Sequence, residues 1–288
     1  METTTAQSTP TPPAATTQRG PKKPRKQAVL EVRGKTRLSP RLLRVTVGGE
    51  QYAHLNRNTH ADAYVKLLIP EPASGLQPPF DLDALREDSP ELLPARRTYT
   101  VRHWDDEAQS LDLDVVLHGH GADSGTAARW ADEAQPGDRI ALMGAGGGYT
   151  PEESASSHLL IGDHAALPAI AASLESMDPA ATGLVLLQLD EEEDLLEVPH
   201  PAGIELRWVI GQRERLLEAV SALDLSVTAG LQVFCHAERA LTKQLRRVLV
   251  TDAGIARDQI SISAYWAQGR IEDQFQAEKR EPIGKIDD

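Results

Sequence analysis

The residues with the clearest chemical potential are 97–102, which read Arg-Thr-Tyr-Thr-Val-Arg and have the composition of a hydroxyl-rich strand. Side chains alternate between the two faces of a strand, so Arg97 and Tyr99 are expected on the same face. The Tyr99 ring can stack on a flat heterocycle, Arg97 can bind a phosphate through paired N–H groups, and a Thr100 hydroxyl or backbone group can reach the ring edge. The segment therefore predicts a site for a flat aromatic cofactor that carries phosphate, which indicates a flavoprotein.

A candidate diphosphate site follows the next predicted strand, which ends at His118 and Gly119. After a loop, Gly125, Thr126 and Ala127 open a predicted helix with small residues. Such a helix N-terminus offers backbone N–H groups and a positive dipole end to phosphate, and Thr126 can add a hydroxyl. Because a second phosphate needs a site of this kind, the pattern favours FAD over FMN. An ordinary capped helix is the alternative.

A candidate nucleotide site begins at Gly162 and Asp163, which follow a predicted buried strand, and continues into a helix at Ala166, Leu167 and Pro168. Nicotinamide nucleotides bind at the carboxyl ends of parallel strands, which is the position of this turn. The segment lacks the Gly-x-Gly-x-x-Gly fingerprint, so its residues alone are a weak indicator. The place of the turn in the predicted sheet therefore carries the expectation of NADPH or NADH.

The elements that must position these residues fall into two groups. Short alternating runs separated by turn residues predict an antiparallel barrel or sandwich. These strands are expected at 29–32, 42–47, 64–69, 98–103, 111–117 and 139–143, with one helix at 126–134. Beyond the glycine-rich residues 144–148, strands alternate with helices, which implies parallel pairing with right-handed crossovers. These strands are expected at 158–162, 183–189, 204–210, 231–235 and 260–265, and the helices at 167–177, 213–223 and 240–250.

The sequence therefore predicts a two-domain chain. We expect residues 28–150 to form an antiparallel β-barrel domain that binds FAD. Residues 151–269 are expected to form an α/β domain with a parallel sheet that binds NAD(P)H. Residues 1–27, rich in Thr, Pro and Ala, are expected to be a disordered basic tail, and residues 270–288 a tail or helix.

Composition bounds the class of protein. A chain of 288 residues with 40% hydrophobic and 25% charged residues is long enough for two domains with their own cores. The net charge is −13; residues 1–27 contribute +4, from five basic side chains against one acidic, which leaves −17 on the remainder. This acidic body argues against nucleic acid binding. The lack of a long apolar run and the single cysteine, Cys235, lead us to expect a cytoplasmic protein without membrane insertion.

The acidic runs 105–107 and 190–194 could suggest metal binding, but both fall in predicted loops and are expected to be solvated. No His or Cys cluster in the sequence has the spacing of a zinc or haem site. We therefore expect no metal site.

Seven short motifs follow one another along the chain, and their joint order is more specific than any one of them. They are Arg-x-Tyr-Thr-x-Arg at 97–102, His-Gly at 118–119, Gly-x-Ala-x-x-Trp-Ala at 125–131, Pro-Gly-Asp at 136–138, Gly-Asp-x-x-Ala-Leu-Pro-Ala-Ile at 162–170, Ala-Glu at 237–238 and Tyr-Trp-x-x-Gly at 265–269. Over residues 28–275 this order resembles the siderophore-interacting protein family. Members are flavoproteins that reduce ferric siderophores and are built like a ferredoxin reductase.

The resemblance implies roles for individual residues around the flavin. It assigns Thr98, together with Arg97, Tyr99 and Thr100, to the flavin and places His118 near it. At the start of the predicted helix at 126–134 the family usually has Pro and Ser where this chain has Thr and Ala, so one hydroxyl has moved.

The resemblance also implies roles near the nicotinamide and the substrate. Glu238 resembles an acidic residue near the nicotinamide and flavin, with a helix N-terminal carboxylate as the alternative. Tyr265 and Trp266 resemble the aromatic element that closes the cofactor cleft, with a core Trp at a strand end as the alternative. Lys66 matches a family lysine near the flavin in the basic patch that receives the siderophore. Residues 267–268 are Ala-Gln in place of the usual arginines, and Arg270 is the nearest cation.

The resemblance implies an FAD-dependent NAD(P)H ferric-siderophore reductase. A nicotinamide nucleotide would supply a hydride to the flavin, and Fe(III) in a siderophore would receive single electrons and be released as Fe(II). Because electron transfer needs no acid or base, no catalytic side chain is expected. Three alternatives stay open: a broad-range ferric or flavin reductase, including one fed by ferredoxin; a flavin-binding siderophore carrier without turnover; and docking of a partner through the basic tail.

Overall fold

The computed structural model describes residues 26–118 and 125–286, and the first domain within them is a β-barrel. Its strands are β1 (Gln27–Ser39), β2 (Leu42–Gly48), β3 (Tyr64–Ile69), β4 (Ala95–Asp105), β5 (Ser110–Val116) and β6 (Arg139–Gly146). They close in the order β1-β2-β5-β4-β3-β6, and every neighbouring pair is antiparallel. The predicted antiparallel barrel is therefore confirmed.

Alternation along β2 builds one wall of the barrel. Leu43, Val45 and Val47 are buried in the barrel core, while the residues between them face outward. Arg44 lies opposite Asp114 of β5 and donates to both of its carboxylate oxygens, at 2.7 and 2.8 Å. A slip of one residue would bury this ion pair and expose the valines, so the alternation fixes the register.

Two helices accompany the barrel. The predicted helix is confirmed as α2 (Thr126–Glu133), which packs Ala127 and Ala131 against the barrel core. The sequence pattern does not indicate α1 (Leu82–Asp88), which has seven residues and begins after Asp81. The Asp81 carboxylate accepts hydrogen bonds from two amides of the first turn, as an N-cap residue does.

The second domain is a parallel sheet with helices. Its strands are β7 (Ser157–Gly162), β8 (Thr182–Leu189), β9 (Gly203–Ile210), β10 (Leu231–Glu238) and β11 (Ile260–Trp266), and its helices are α3 (Leu167–Ser176), α4 (Glu214–Ser221), α5 (Arg239–Arg246) and α6 (Glu272–Glu278). The strand order is β11-β10-β7-β8-β9, and every neighbouring pair is parallel. The predicted α/β domain is confirmed. Across the described ranges, no helix has the length and apolar character needed to span a membrane.

Both faces of the parallel sheet are covered. One face carries Leu160 and Phe234 into a cluster with α3, and the other carries Ile161 and Cys235 into a cluster with Leu241 of α5. Strands buried on both faces read as unbroken apolar runs, which is why β7 is visible in the sequence. The chain proceeds outward from β7 to β9 and then returns to place β10 on the other side of β7. The crevice where the strand order reverses therefore lies between β7 and β10.

The two domains share an apolar joint. Leu42, at the start of β2, is fully buried in a cluster with Tyr149, Leu160 and Phe234 of the second half of the chain. An apolar contact of this kind restrains two domains more than a polar surface does. The barrel therefore keeps a defined position against the carboxyl edge of the parallel sheet.

A buried carboxylate reinforces this joint. Asp194 is 1% exposed and accepts hydrogen bonds from the Ser39 hydroxyl at 2.8 Å, the Arg41 amide at 2.8 Å and the Arg41 Nε. The expectation that the acidic run 190–194 is solvated is therefore wrong for Asp194. A carboxylate can be buried here because the barrel supplies three donors to it.

We expect Asp194→Asn to lower the free energy of unfolding by about 2 kcal/mol, the usual cost of losing a hydrogen-bonded buried charge. The amide keeps one acceptor but turns an NH2 group toward an Arg41 or Ser39 donor. Urea unfolding followed by circular dichroism measures the effect. The control is Glu193→Gln, which removes the same charge from an exposed neighbour and should change stability by less than about 0.5 kcal/mol. Equal stability of the two variants would contradict this role for Asp194.

Candidate functional site

The first part of the site is the turn between β7 and α3. A Cβ at Gly162 would lie 2.6 Å from the Ala166 Cβ and 2.7 Å from the Ile170 Cδ1, so glycine is what lets α3 begin this close to the sheet. Ala166, Leu167 and Pro168 have buried side chains, so this turn presents backbone to the cleft. The start of α3 has no side-chain cap and no acidic residue in its first turn. A helix start favours a phosphate, but here Pro168 supplies no N–H and the Ala165 amide already donates to the Asp163 carboxylate.

Asp163, which directly follows β7, accepts hydrogen bonds from the ends of β10 and β11. Its Oδ1 accepts from the Ala165 amide at 3.0 Å, and its Oδ2 accepts from the Glu238 amide at 2.9 Å and the Trp266 Nε1 at 2.8 Å. The residue is 4% exposed. Burial raises the pKa of Asp163 to about 6, against the hydrogen bonds from Trp266 and Glu238 that lower it. The structure thus brings together the three residues that the sequence places after β7, β10 and at the end of β11.

Both carboxylate oxygens of Glu238 accept backbone hydrogen bonds. Its Oε2 accepts from the Ala240 and Leu241 amides at 2.6 and 3.1 Å, which makes it the N-cap of α5. The Arg213 Nη1 lies 3.5 Å from the same oxygen, and Oε1 accepts from the Gln268 amide at 3.1 Å. The capping alternative given by the sequence is therefore present. A direct contact of this carboxylate with a cofactor stays a prediction.

Aromatic residues connect the sheet edge to the barrel. Trp266, at the end of β11, is 41% exposed, and its Nε1 donates to the Asp163 carboxylate. Burial raises the pKa of the neighbouring Tyr265 hydroxyl, against a hydrogen bond with the Thr100 side chain that lowers it. The Tyr265 ring also lies 4.6 Å from that of His236. The contact between Tyr265 and Thr100 joins β11 of the α/β domain to β4 of the barrel.

The candidate flavin strand lies in the first half of β4. Tyr99 packs against the barrel core, and burial raises the pKa of its hydroxyl. The Arg97 side chain is 14% exposed. Lys66 of β3 lies opposite Thr98, and its Nζ donates to the Thr98 Oγ1 at 3.1 Å. The structure therefore brings the predicted substrate residue Lys66 to the predicted flavin residues.

The start of α6 contacts the same strand. The Glu272 carboxylate accepts from the Thr98 amide at 2.8 Å and from the Thr98 hydroxyl. Asp273 Oδ2 lies 3.3 Å from the Arg97 Nη1. Two carboxylates of the C-terminal segment are therefore hydrogen-bonded to two of the residues predicted to hold the flavin.

Arg270 is also held by the C-terminal segment. Its Nε donates to the Glu278 Oε1 at 2.6 Å, and Arg239 donates to the other oxygen of the same carboxylate. The hydrogen bond from Arg239, and next the one from Arg270, hold the pKa of Glu278 below its usual range. The role of Arg270 in binding a substrate stays a prediction, and it has to be compatible with this ion pair.

The third candidate group lies at the start of α2. A Cβ at Gly125 would lie 2.7 Å from the His118 Cε1, so glycine lets the imidazole and the helix start meet. The N-terminus before Thr126 has no side-chain cap and no acidic residue in its first turn, and Ala127 is buried. Gly119 lies outside the described residues. The uncapped start of α2 offers backbone N–H groups, and the Arg97 guanidinium is a cation on a barrel strand. Both kinds of group bind phosphate, so the residues present fit the diphosphate of FAD.

Sequence patterns gave no indication of several residues at this site. The Tyr-Trp motif indicates Tyr265 itself, but not its contact with Thr100, which joins positions from different domains. Glu272 and Asp273 lie in the segment expected to be a tail or helix, without a pattern that points to β4. Arg213 approaches Glu238 across the sheet edge. The contacts of Tyr265, Glu272 and Asp273 depend on how the two domains meet, and that of Arg213 depends on how the strands assemble in the parallel sheet. Local sequence encodes neither.

The closed antiparallel barrel followed by a five-stranded parallel sheet defines a class of protein by its fold, the ferredoxin-reductase type. The ferredoxin reductase of carbazole 1,9a-dioxygenase has this fold, with a TM-score of 0.61 over 85% of this chain and 71% of that chain at 17% identity. At that identity the likeness shows the fold alone.

The sequence comparisons identify the family. The profile of the siderophore-interacting FAD-binding domain matches residues 31–149, and that of the siderophore-interacting protein matches residues 155–269. The ferric vibriobactin reductase ViuB of Vibrio cholerae is 34% identical over 251 residues, which cover 84% of this chain and 90% of that protein. The siderophore-interacting protein SipS of Aeromonas hydrophila superposes with a TM-score of 0.76 at 29% identity, over 91% of this chain and 99% of that chain. The chain belongs to the siderophore-interacting protein family.

The raised pKa of Asp163 has a direct spectroscopic consequence. Because its folded-state pKa of about 6 exceeds the ordinary 3.8, the folded chain keeps a proton that the unfolded chain releases between these values. The contribution of this group to stability is therefore most favourable below about pH 4 and falls as the pH rises toward 6. We expect tryptophan emission to change with a midpoint near pH 6, since Trp266 donates to this carboxylate.

Fluorescence titrations of the parent chain, Asp163→Asn and Trp266→Phe test this assignment. Both variants should lose the transition, because one removes the titrating group and the other removes the reporter. A transition near pH 6 that persists in Trp266→Phe would mean that another group and another tryptophan are responsible.

Proposed function

We propose that this chain is an FAD-dependent reductase that transfers electrons from NADPH or NADH to Fe(III) bound in a siderophore. The observation that carries the proposal is the meeting of the two candidate sites. Thr100 of the candidate flavin strand interacts with the Tyr265 side chain. The Nε1 of the next residue, Trp266, donates to Asp163 at the crevice between β7 and β10. The names of the relatives, ferric vibriobactin reductase and siderophore-interacting protein, support the same reaction class.

The chain's residues bind and orient in this proposal. Arg97 and the start of α2 would hold the FAD diphosphate, and Tyr99 and Thr100 would contact the ring system. The start of α3 would hold a phosphate of the nicotinamide nucleotide, and Trp266 would cover the cleft from the sheet side. Bound FAD would supply the redox chemistry, by accepting a hydride from the nicotinamide and giving single electrons to iron. No side chain has to transfer a proton when an electron passes to iron. The residues named here therefore serve to bind and orient the FAD and the nucleotide.

The substrate would approach the strand pair β3–β4. Lys66 lies on that pair, within hydrogen-bond reach of Thr98, and Arg270 is positioned by Glu278. Both cations suit an oxygen-rich ferric chelate. Fe(II) binds hard-oxygen chelators weakly, so reduction releases the metal. We place this reaction in the cytoplasm, where NADPH and NADH are available.

Turnover of a ferric chelate under anaerobic conditions is the decisive test of the reaction. We expect NADPH or NADH to bleach the visible absorbance of the FAD-loaded chain. Addition of a ferric siderophore should restore it while an Fe(II) colour reagent reports released metal. Mixtures without protein are the control.

Other outcomes would separate the alternatives. Bleaching without reoxidation by ferric chelates would favour a flavin-binding carrier. Bleaching by reduced ferredoxin but by neither nucleotide would favour a ferredoxin-fed reductase. A chain that is colourless and cannot be loaded with FAD would contradict the proposal.

Cofactor binding tests the assignment of Arg97. We expect Arg97→Gln to weaken FAD binding by about 2 kcal/mol, roughly thirtyfold, because a charge-assisted phosphate contact is lost. The matched control is Arg96→Gln, which removes the same charge from the neighbouring residue on the opposite face of β4. Titration of FAD into the flavin-free chain gives both dissociation constants. Similar weakening in both variants would indicate a general effect of charge and contradict the specific contact.

A further inference from the structure

The C-terminal segment, residues 270–286, is a structured cap on the cleft. Its anchor is Phe275, which is 2% exposed and packs with Ala264 and Ala267 at the end of the parallel sheet. The guanidinium of Arg239 and the ammonium of Lys279 lie 5.9 and 4.6 Å from the centre of its ring. The apolar packing of Phe275 therefore fixes the middle of the cap to the α/β domain, and two cations lie beside its ring.

The start of the cap is attached to the other domain. Glu272 accepts from the amide and the hydroxyl of Thr98, and Asp273 forms an ion pair with Arg97, all on barrel strand β4. Unlike Phe275, these two acidic residues make polar contacts that an anion from solution can replace. Asp273 is 49% exposed, so its contact with Arg97 is open to exchange.

Asp273 occupies Arg97, which the proposed function gives to the FAD diphosphate. Glu272 occupies Thr98, which the family resemblance assigns to the flavin. Carboxylates and phosphates compete for the same N–H donors, and two carboxylates beside Arg97 repel a diphosphate. We propose that the cap competes with the FAD diphosphate for Arg97, with Glu272 on Thr98 holding Asp273 in place, so that FAD binding displaces the start of the cap. This inference rests on the proposed placement of FAD along β4.

The displacement can be local. Glu278, near the end of α6, is held by Arg239 and Arg270, and the Lys243 Nζ donates to the Ile283 carbonyl at 3.2 Å. Gly269 precedes the cap with φ +70, in the left-handed region that glycine adopts without cost. The first turn of α6 can therefore leave β4 while the remainder of the cap stays anchored.

Titration of flavins into the full-length, flavin-free chain tests the competition. The variants are Glu272→Gln, Asp273→Asn and the double variant, which remove charge and keep size. The matched control is Glu281→Gln, which removes the same charge from an exposed residue of the same cap. We expect the double variant to bind FAD about tenfold more tightly than the parent, the combined effect expected when one exposed ion pair and the charge of a second, hydrogen-bonded carboxylate are removed. Riboflavin, which has no phosphate, should bind both proteins within about twofold, and Glu281→Gln should match the parent.

The results that would overturn the inference are distinct from those that would overturn the proposed function. Unchanged or weaker FAD binding by the double variant, or an equal gain for riboflavin, would remove the competition and leave an FAD reductase intact. Failure of the parent and all variants to bind FAD would overturn both.

Hydrogen exchange gives a readout that does not depend on variants. We expect the amides of residues 272–276 to exchange faster in the FAD-bound chain than in the flavin-free chain, because the first turn of α6 opens more readily once Glu272 and Asp273 have left β4. Slower exchange in the presence of FAD would show that the cap closes over the cofactor, and would overturn the competition.

Discussion

The carboxylate of Asp163 lies out of water with three N–H donors around it, and the arrangement of the cleft depends on that compensation. A buried carboxylate without donors is costly, so its presence selects the backbone and side-chain positions that supply them. One donor belongs to the turn after β7, one to the end of β10 and one to Trp266 of β11. The same oxygen thus fixes two strand ends against each other and orients the indole that faces the cleft.

The residues that Asp163 holds in place determine further contacts in the site. With the end of β10 fixed, Glu238 caps α5 and receives the Gln268 amide, which sets the path of the chain into the C-terminal segment. With Trp266 fixed, its neighbour Tyr265 points toward Thr100 of the barrel. The apolar joint around Leu42 and the ion pair between Arg102 and Glu175 hold the same two domains elsewhere. The cleft is therefore built on rigid contacts, and its exchangeable contacts lie in the cap.

The sequence predicted those parts of the fold that local patterns determine. The strand expected at 42–47 matches β2 because apolar and polar residues alternate along it. The strand expected at 29–32 is only the first part of β1, because a bulge between Val32 and Gly34 breaks the alternation and the following residues are exposed or half-buried until Ser39. The burial of Asp194 could not be predicted, since its donors lie more than 150 residues away in the barrel.

Within the candidate site, too, some positions could be predicted from the sequence and others could not. Asp163 and Trp266 could be placed at the sheet edge from the strand order, because carboxyl ends of parallel strands meet there. The docking of α6 on β4 could not, since Phe275 finds its pocket only after β11 is in the sheet. A run that begins Glu-Asp is as compatible with a solvated tail as with a helix start, and only the folded barrel supplies Arg97 and Thr98 as partners.

The charges of the cleft show why such a helix can matter in an acidic protein. Arg97, Arg239 and Arg270 are paired with carboxylates of α6, so the chain neutralises its own binding cations. An incoming anion must replace a carboxylate contact rather than fill an empty one, so a singly charged ion gains little from the exchange. A ligand with several oxyanion groups gains more, because it replaces one weak exposed pair with several charge-assisted hydrogen bonds. Internal neutralisation of this kind favours multiply charged ligands such as dinucleotides over the small anions that are abundant in solution.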